Sequence, residues 1–246
     1  MNLEPFLKSE PNASLLEVRE FVQLEILRRI STSELKSLLA FKGGTALHLL
    51  YHMDRFSEDL DFSVTVKTDE KKIGGLLKPL LMNEEITDQA VKRRTILFEI
   101  RQTFGGRAFR LKIEINTDDV VPGEPKTLFA PAVPASFSIQ AMRSDWLTGQ
   151  KVRAFLQRKK ARDLYDLWFL LKTRLPLDFR LISRLTNISE DELPEKIQER
   201  IESTTEREIV TDLNPFLEAK LRDWTRRSLK VETLQLFRAL ELQKHP

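Results

Sequence analysis

Residues 95–116 limit the fold more than any other stretch of this chain. Thr95 to Phe104 and Arg107 to Asn116 each alternate apolar and polar side chains, and Gly105-Gly106 stands between them. Alternation is the period of a strand, and a Gly-Gly pair supplies the backbone of a tight turn, so the segment reads as an antiparallel hairpin with one buried face. In its second strand Phe109, Leu111, Ile113 and Ile115 share a side, which leaves Arg110, Lys112 and Glu114 on the other.

The N-terminal half supplies partners for that hairpin. Ser14 and Glu17 have the spacing of a capping box, and Leu15, Val18, Val22, Ile26 and Ile30 recur at helical intervals, which predicts a helix from about Ser14. Ser31 and Glu34 start a second one. The short apolar run Leu38 to Phe41 reads as a buried strand that stops at Gly43-Gly44, and Thr45 to His52 as a helix. Arg55 to Val66 alternates again, with Leu60, Phe62 and Val64 facing one way and Asp59, Asp61 and Ser63 the other. Thr68 to Met82 is helical, with Gly74-Gly75 as a place where it could break.

Pro122, Pro125, Pro131 and Pro134 make residues 122–134 the most linker-like stretch, which puts a domain boundary there: 1–134 holds the sheet, 135–246 is mainly helical. After Ser144 the pattern is helices, with breaks near Lys159-Lys160, at Pro176, around Pro194 and at Asn214-Pro215. The chain has 246 residues, 41% of them hydrophobic and 31% charged, enough for one sizeable core or two modest ones. Cysteine is absent, which excludes disulfides and thiolate chemistry and fits a reducing compartment. Glu4, Pro5 and Glu10 interrupt any secretory leader, and no apolar run approaches the ~20 residues of a membrane span, so a cytoplasmic location without a membrane partner is expected.

Chemistry concentrates where the glycine turn meets the carboxylates. Gly43 and Gly44 let the backbone come close to a phosphate, and the following helix N-terminus offers N–H donors and a positive dipole, with the Thr45 hydroxyl as a further donor. Asp59 and Asp61, two apart on a strand, project to one side and can hold hard cations, Mg²⁺ above all. Together they describe attack on the α-phosphate of a nucleoside triphosphate, with two metal ions serving the acceptor hydroxyl and the leaving pyrophosphate. Glu114 is the third carboxylate, either completing a metal's coordination or accepting the hydroxyl proton. His48 and His52, one turn apart without a third ligand, read as structural or surface residues. Lys151, Arg153, Arg158, Lys159, Lys160 and Arg162 concentrate positive charge that could attract polyphosphate or nucleic acid, or form a solvated helix end.

Lys42-Gly43-Gly44-Thr45-Ala46-Leu47, followed by Arg55-Phe56-Ser57-Glu58-Asp59-Leu60-Asp61-Phe62, resembles the AbiEii/AbiGii toxin-type nucleotidyltransferases of the DNA polymerase β-like superfamily. Gln150-Lys151 and Arg162-Asp163-Leu164-Tyr165-Asp166-Leu167-Trp168 resemble the same family's lysine motif and its second helix. The resemblance spans roughly 35–172 and implies an α+β fold: a small mixed sheet with flanking helices, then a helical domain. It also implies a metal pair at Asp59 and Asp61, contacts to the nucleotide from Lys42, Gly43, Gly44, Thr45, Arg55, Ser57 and Arg162, and catalytic roles for Lys151 and Asp166. Lys151 suits neutralisation of the departing pyrophosphate. Two departures stand out: Thr45 where the wider superfamily has serine, and Gln150 where glutamate is usual. Tyr165 and Trp168 fall at core spacing with Leu164 and Leu171.

The implied activity is transfer of a nucleotide from an NTP to an acceptor, with tRNA 3′ ends one acceptor class and a cognate antitoxin as partner. A protein side chain is an alternative acceptor, and a silent nucleotide- or RNA-binding module an alternative to catalysis. Against the silent module, converging carboxylates repel one another unless a cation lies between them. The region from Leu177 onward carries no motif that assigns it a role.

Overall fold

The computed structural model describes residues 1–129 and 136–244. In chain order its elements are α1 (Glu4–Ser9), α2 (Leu15–Ser31), α3 (Leu35–Leu38), β1 (Leu39–Lys42), α4 (Gly43–Tyr51), β2 (Leu60–Val64), α5 (Glu70–Leu80), β3 (Glu85–Lys92), β4 (Thr95–Phe104), β5 (Arg107–Asn116), β6 (Gly123–Leu128) and β7 (Phe137–Met142). Then follow α6 (Ser144–Gln157), α7 (Ala161–Lys172), α8 (Phe179–Thr186), α9 (Leu193–Ser203), α10 (Glu206–Leu213), a 3₁₀ turn at Asn214–Phe216 and α11 (Ala219–Lys244). The chain divides into two compact units, Met1–Arg143 and Ser144–Pro246.

The first unit is built on a seven-stranded mixed sheet of order β3-β4-β5-β2-β1-β7-β6. β1 pairs antiparallel with β2 and parallel with β7, while β2 runs parallel to β5. The hairpin β4–β5 is where the alternation places it, and both turn glycines have positive φ, +56° and +75°, the backbone of a type I′ turn. Phe109, Leu111, Ile113 and Ile115 are buried and join Val18, Val22, Ile26 and Ile30 of α2 and Ile73 and Leu77 of α5 in one core. The capping box of α2 is complete: Glu17 N–H donates to Ser14 Oγ at 3.3 Å and Ser14 N–H to the Glu17 carboxylate at 2.6 Å.

The elements depart from expectation in some places and decide between alternatives in others. The boundary expected after Pro134 lies outside the described residues, and the units divide at Arg143–Ser144. The proline-rich stretch contains β6, the outer strand of its side of the sheet, and an edge strand tolerates Pro125 because one row of its backbone groups has no ladder to complete. β3, unanticipated in the sequence, is the opposite edge; its mostly polar residues hide the strand period and discourage further pairing. The strand expected from Arg55 starts only at Leu60, so Asp59 precedes the ladder. α5 runs unbroken through Gly74-Gly75.

The second unit is all helical. α7 is its buried axis: Leu164, Tyr165, Leu167, Trp168 and Leu170 lie inside, and α6, α10 and α11 pack on it. Tyr165 and Trp168 are core residues, their rings 5.2 Å apart. No helix among the described residues is long and apolar enough to cross a membrane.

Candidate active site

Strand register gathers the first part of the site. Asp61 of β2 has Lys42 of β1 opposite it on one side and Glu114 of β5 on the other, so three charged residues stand in a row across adjacent strands. The chain then turns out of β1 at Gly43, whose φ is +87°. A Cβ at Gly43 would collide with the Asp61 carboxylate, so backbone freedom and close approach both call for glycine. At Gly44 a Cβ would stand 2.8 Å from Ser57 Oγ and 2.9 Å from Arg55 Nη2, which brings the two side chains against the opening turn of α4. Lys42, at the N-cap of that helix, gives it no side-chain cap, and the positive dipole end of the helix lies where Asp61, Arg55 and Ser57 meet.

Asp59 enters from the loop. Its carboxyl accepts the Lys112 N–H, yet its pKa is raised, chiefly by burial and next by the charges of Asp61 and Glu58. The two aspartates are therefore close enough to oppose each other's ionisation. Thr45 is fully buried and its hydroxyl donates to the Asp59 carbonyl, so the side chain fixes Asp59. Ser63, expected on the polar face with the aspartates, is buried as well. Among the described residues no three His, Cys, Asp or Glu side chains gather into a ready-made metal cage; Glu114 neighbours Asp61 in register without closing a three-carboxylate cluster with Asp59.

Two positioning groups escaped the sequence reading. Gln23, 1% exposed on α2, donates its amide to the carbonyls of Ser57 at 2.9 Å and Glu58 at 3.0 Å, and Arg19 pairs with Glu58 at 2.8 Å. They hold the segment that delivers Asp59. A buried glutamine amid the apolar positions of α2 was the available signal, since a buried amide must find partners. His48 is structural, its Nε2 2.7 Å from Glu20 and its ring 4.9 Å from Phe56, and His52 is exposed at the left-handed end of α4.

In the helical unit, Lys151 Nζ meets Asp166 Oδ2 at 2.7 Å, with side chains only 10% and 2% exposed. Asp163 is also buried, and its pKa is raised by burial first and then by Asp166. Arg158 pairs with Asp163 at 3.2 Å, Lys160 with Asp212 at 3.9 Å, and Arg162 lies over the Phe216 ring at 5.6 Å. Asp212 also accepts the Ala161 N–H at 2.9 Å, capping α7. Much of the basic run 151–162 is thus neutralised from within.

A glycine turn opening onto a helix N-terminus, with Asp61 on the neighbouring strand and Asp59 just before it, can hold a phosphate together with a cation. Comparison with known proteins agrees: the family model AbiEii, described as a nucleotidyl transferase toxin of a type IV toxin–antitoxin system, matches residues 25–237. The chain belongs to this family of nucleotidyltransferase toxins. The match takes in the C-terminal helices for which the sequence suggested no role. Among solved structures, JHP933 from Helicobacter pylori is 25% identical, with 95% of this chain and 96% of that one covered at a TM-score of 0.57. MenT4, a nucleotidyltransferase toxin from Mycobacterium tuberculosis H37Rv, is similar in fold, at 19% identity and TM-score 0.64 over 92% of this chain and 84% of that one. No curated protein gives a significant match.

The raised pKa of Asp59 has a measurable consequence. A carboxyl with a raised native pKa contributes stability that is present below the unfolded-state value and lost as pH rises through the native one. Without divalent cations at neutral pH, Asp59→Asn is expected to melt higher than wild type, with the gap closing as pH is lowered. Saturating Mg²⁺ should raise the wild-type melting temperature and leave the variant's in place. A variant that melts lower than wild type at neutral pH contradicts the assignment.

Proposed function

We propose that this chain transfers a nucleoside monophosphate from an NTP to an RNA, with a tRNA 3′ end as the acceptor, and acts as the toxin of a pair whose antitoxin is a separate protein. The observation that carries the reading is the contact of Gly43 with the Asp61 carboxylate, which puts the start of α4 and the Asp59–Asp61 pair at one place. Phosphates held there would receive α4 N–H groups, Arg55 and Ser57, with Lys42 alongside Asp61.

The aspartate pair fits Mg²⁺. Two half-buried carboxylates, with the Asp61 charge helping to raise the proton affinity of Asp59, favour a divalent ion between them, and Mg²⁺ commonly takes one or two carboxylates and completes its shell with phosphate oxygens and water. The absence of a closed three-carboxylate cage is compatible with that habit. When bound, one or two Mg²⁺ ions would supply charge neutralisation on the triphosphate and lower the pKa of the acceptor hydroxyl. The acceptor oxygen then forms a bond to the α-phosphorus as the bond to the bridging oxygen breaks and pyrophosphate departs. Glu114, exposed beside Asp61, is positioned to take the hydroxyl proton. Lys151, oriented by Asp166, is assigned to the β- and γ-phosphates, and Arg162 to the nucleotide.

Incubation with α-labelled NTPs and Mg²⁺ in the presence of total tRNA or total protein tests both halves. Label in tRNA is expected. Label in protein would replace the acceptor, and no pyrophosphate release with any NTP would remove the activity.

A further inference from the structure

The helical unit sorts its cations into two kinds. Some meet a carboxylate, as Lys151 of α6 does Asp166, Arg158 after α6 does Asp163, and Arg226 and Arg227 of α11 do Asp223. From Lys172 to Ser189 the balance changes: Lys172, Arg174, Arg180 and Arg184 accompany a single acid, Asp178. Asp178 is already committed, its Oδ1 accepting the Leu181 N–H at 3.1 Å to cap α8. Lys172 lies over the Trp168 ring at 4.4 Å. Among the described residues Arg174, Arg180 and Arg184 make no ion pair and no side-chain hydrogen bond, and all three are exposed.

Arg180 and Arg184 stand four apart on α8, a spacing that puts like charges together on one helix face at a cost to the isolated helix. Among the described residues no ion pair offsets that cost. The apolar side of the same helix is already occupied: Leu181 and Ile182 are buried, and Gly149 of α6 lies so close that a Cβ there would be 3.0 Å from Leu185 Cδ1 and 3.5 Å from Leu181 Cγ. With Leu181 and Ile182 buried, Arg180 and Arg184 are the fully exposed side chains of α8. Guanidinium forks suit repeated phosphates better than a compact acidic patch, because each can bind one phosphate bidentately. We propose that the outer face of α8, with Arg174 in the loop before it, binds the phosphate backbone of the acceptor RNA. The inference rests on the RNA-acceptor reading above, and it moves the RNA contact away from the basic run 151–162.

The test is binding of total tRNA to the full chain, without NTP, across a potassium chloride series. Each lost phosphate contact shallows the plot of log K against log salt by about 0.7–0.9, so R180A/R184A should flatten it by roughly 1.5 and weaken binding about tenfold. R180K/R184K should keep most of the slope. R226A/R227A removes the same charge from the same unit at already paired positions and should stay within about twofold of wild type. Equal losses in the two alanine pairs, an unchanged R180A/R184A, or no tRNA binding by wild type overturns the proposal. A wild type that binds tRNA through α8 yet adds no nucleotide would defeat the transfer reading alone. A wild type that adds nucleotides while R180A/R184A binds tRNA normally would defeat this one alone.

Discussion

Asp61→Asn is expected to lower nucleotide incorporation by about 1,000-fold or more while the protein keeps its melting temperature. The size follows from the charge it removes: a carboxylate holding a divalent cation at a reacting phosphate contributes several kcal/mol to the transition state, and each ~1.4 kcal/mol is a factor of ten. The intact fold follows from shape. Asn occupies nearly the same volume, so the contact with Gly43 survives, and it removes a charge that opposes the ionisation of Asp59. Turnover with labelled NTP and thermal melting, measured on the same preparation, check both parts. A variant that loses activity only in proportion to its loss of folded protein would mean Asp61 is structural.

The second large effect falls on stability. Lys151→Met is expected to cost about 3–5 kcal/mol in unfolding free energy, because it leaves Asp166, 2% exposed, without its ammonium partner and beside the buried Asp163. Replacing both members, K151M/D166L, should recover most of that loss, since the penalty comes from a buried charge without its counter-charge. Denaturant unfolding followed by tryptophan fluorescence reads the right region: Trp146, Trp168 and Trp224 all lie in the helical unit. Neither variant should transfer nucleotides if Lys151 meets the departing phosphates. A Lys151→Met protein with the wild-type midpoint would show that the pair is loosely held.

What could be read from the sequence was whatever has a local period or a local turn. The β4–β5 hairpin, the capping box of α2 and the glycine turn at Gly43 each carry their cause within a few residues. The edge strands β3 and β6 could not be read that way, because their pairing depends on a partner strand rather than on an apolar repeat of their own. The site divides similarly. Asp61 follows from the alternation of β2, but Asp59 lies before that strand, and the Thr45 hydroxyl bound to its carbonyl and the Gln23 clamp on Ser57 and Glu58 join residues 14 to 35 positions apart. The basic run 151–162 could not be read alone for a related reason: of its carboxylate partners, Asp163 is local, but Asp166 and Asp212 are brought to it by helix packing.

The most direct measurement of the central claim is a crystal structure with Mn²⁺ and a non-hydrolysable NTP, solved with anomalous data. The expected result is an anomalous peak about 2.1–2.2 Å from carboxylate oxygens of both Asp59 and Asp61, with the triphosphate lying over the backbone N–H groups that open α4. A triphosphate bound elsewhere, or a metal that touches neither aspartate, would contradict the account.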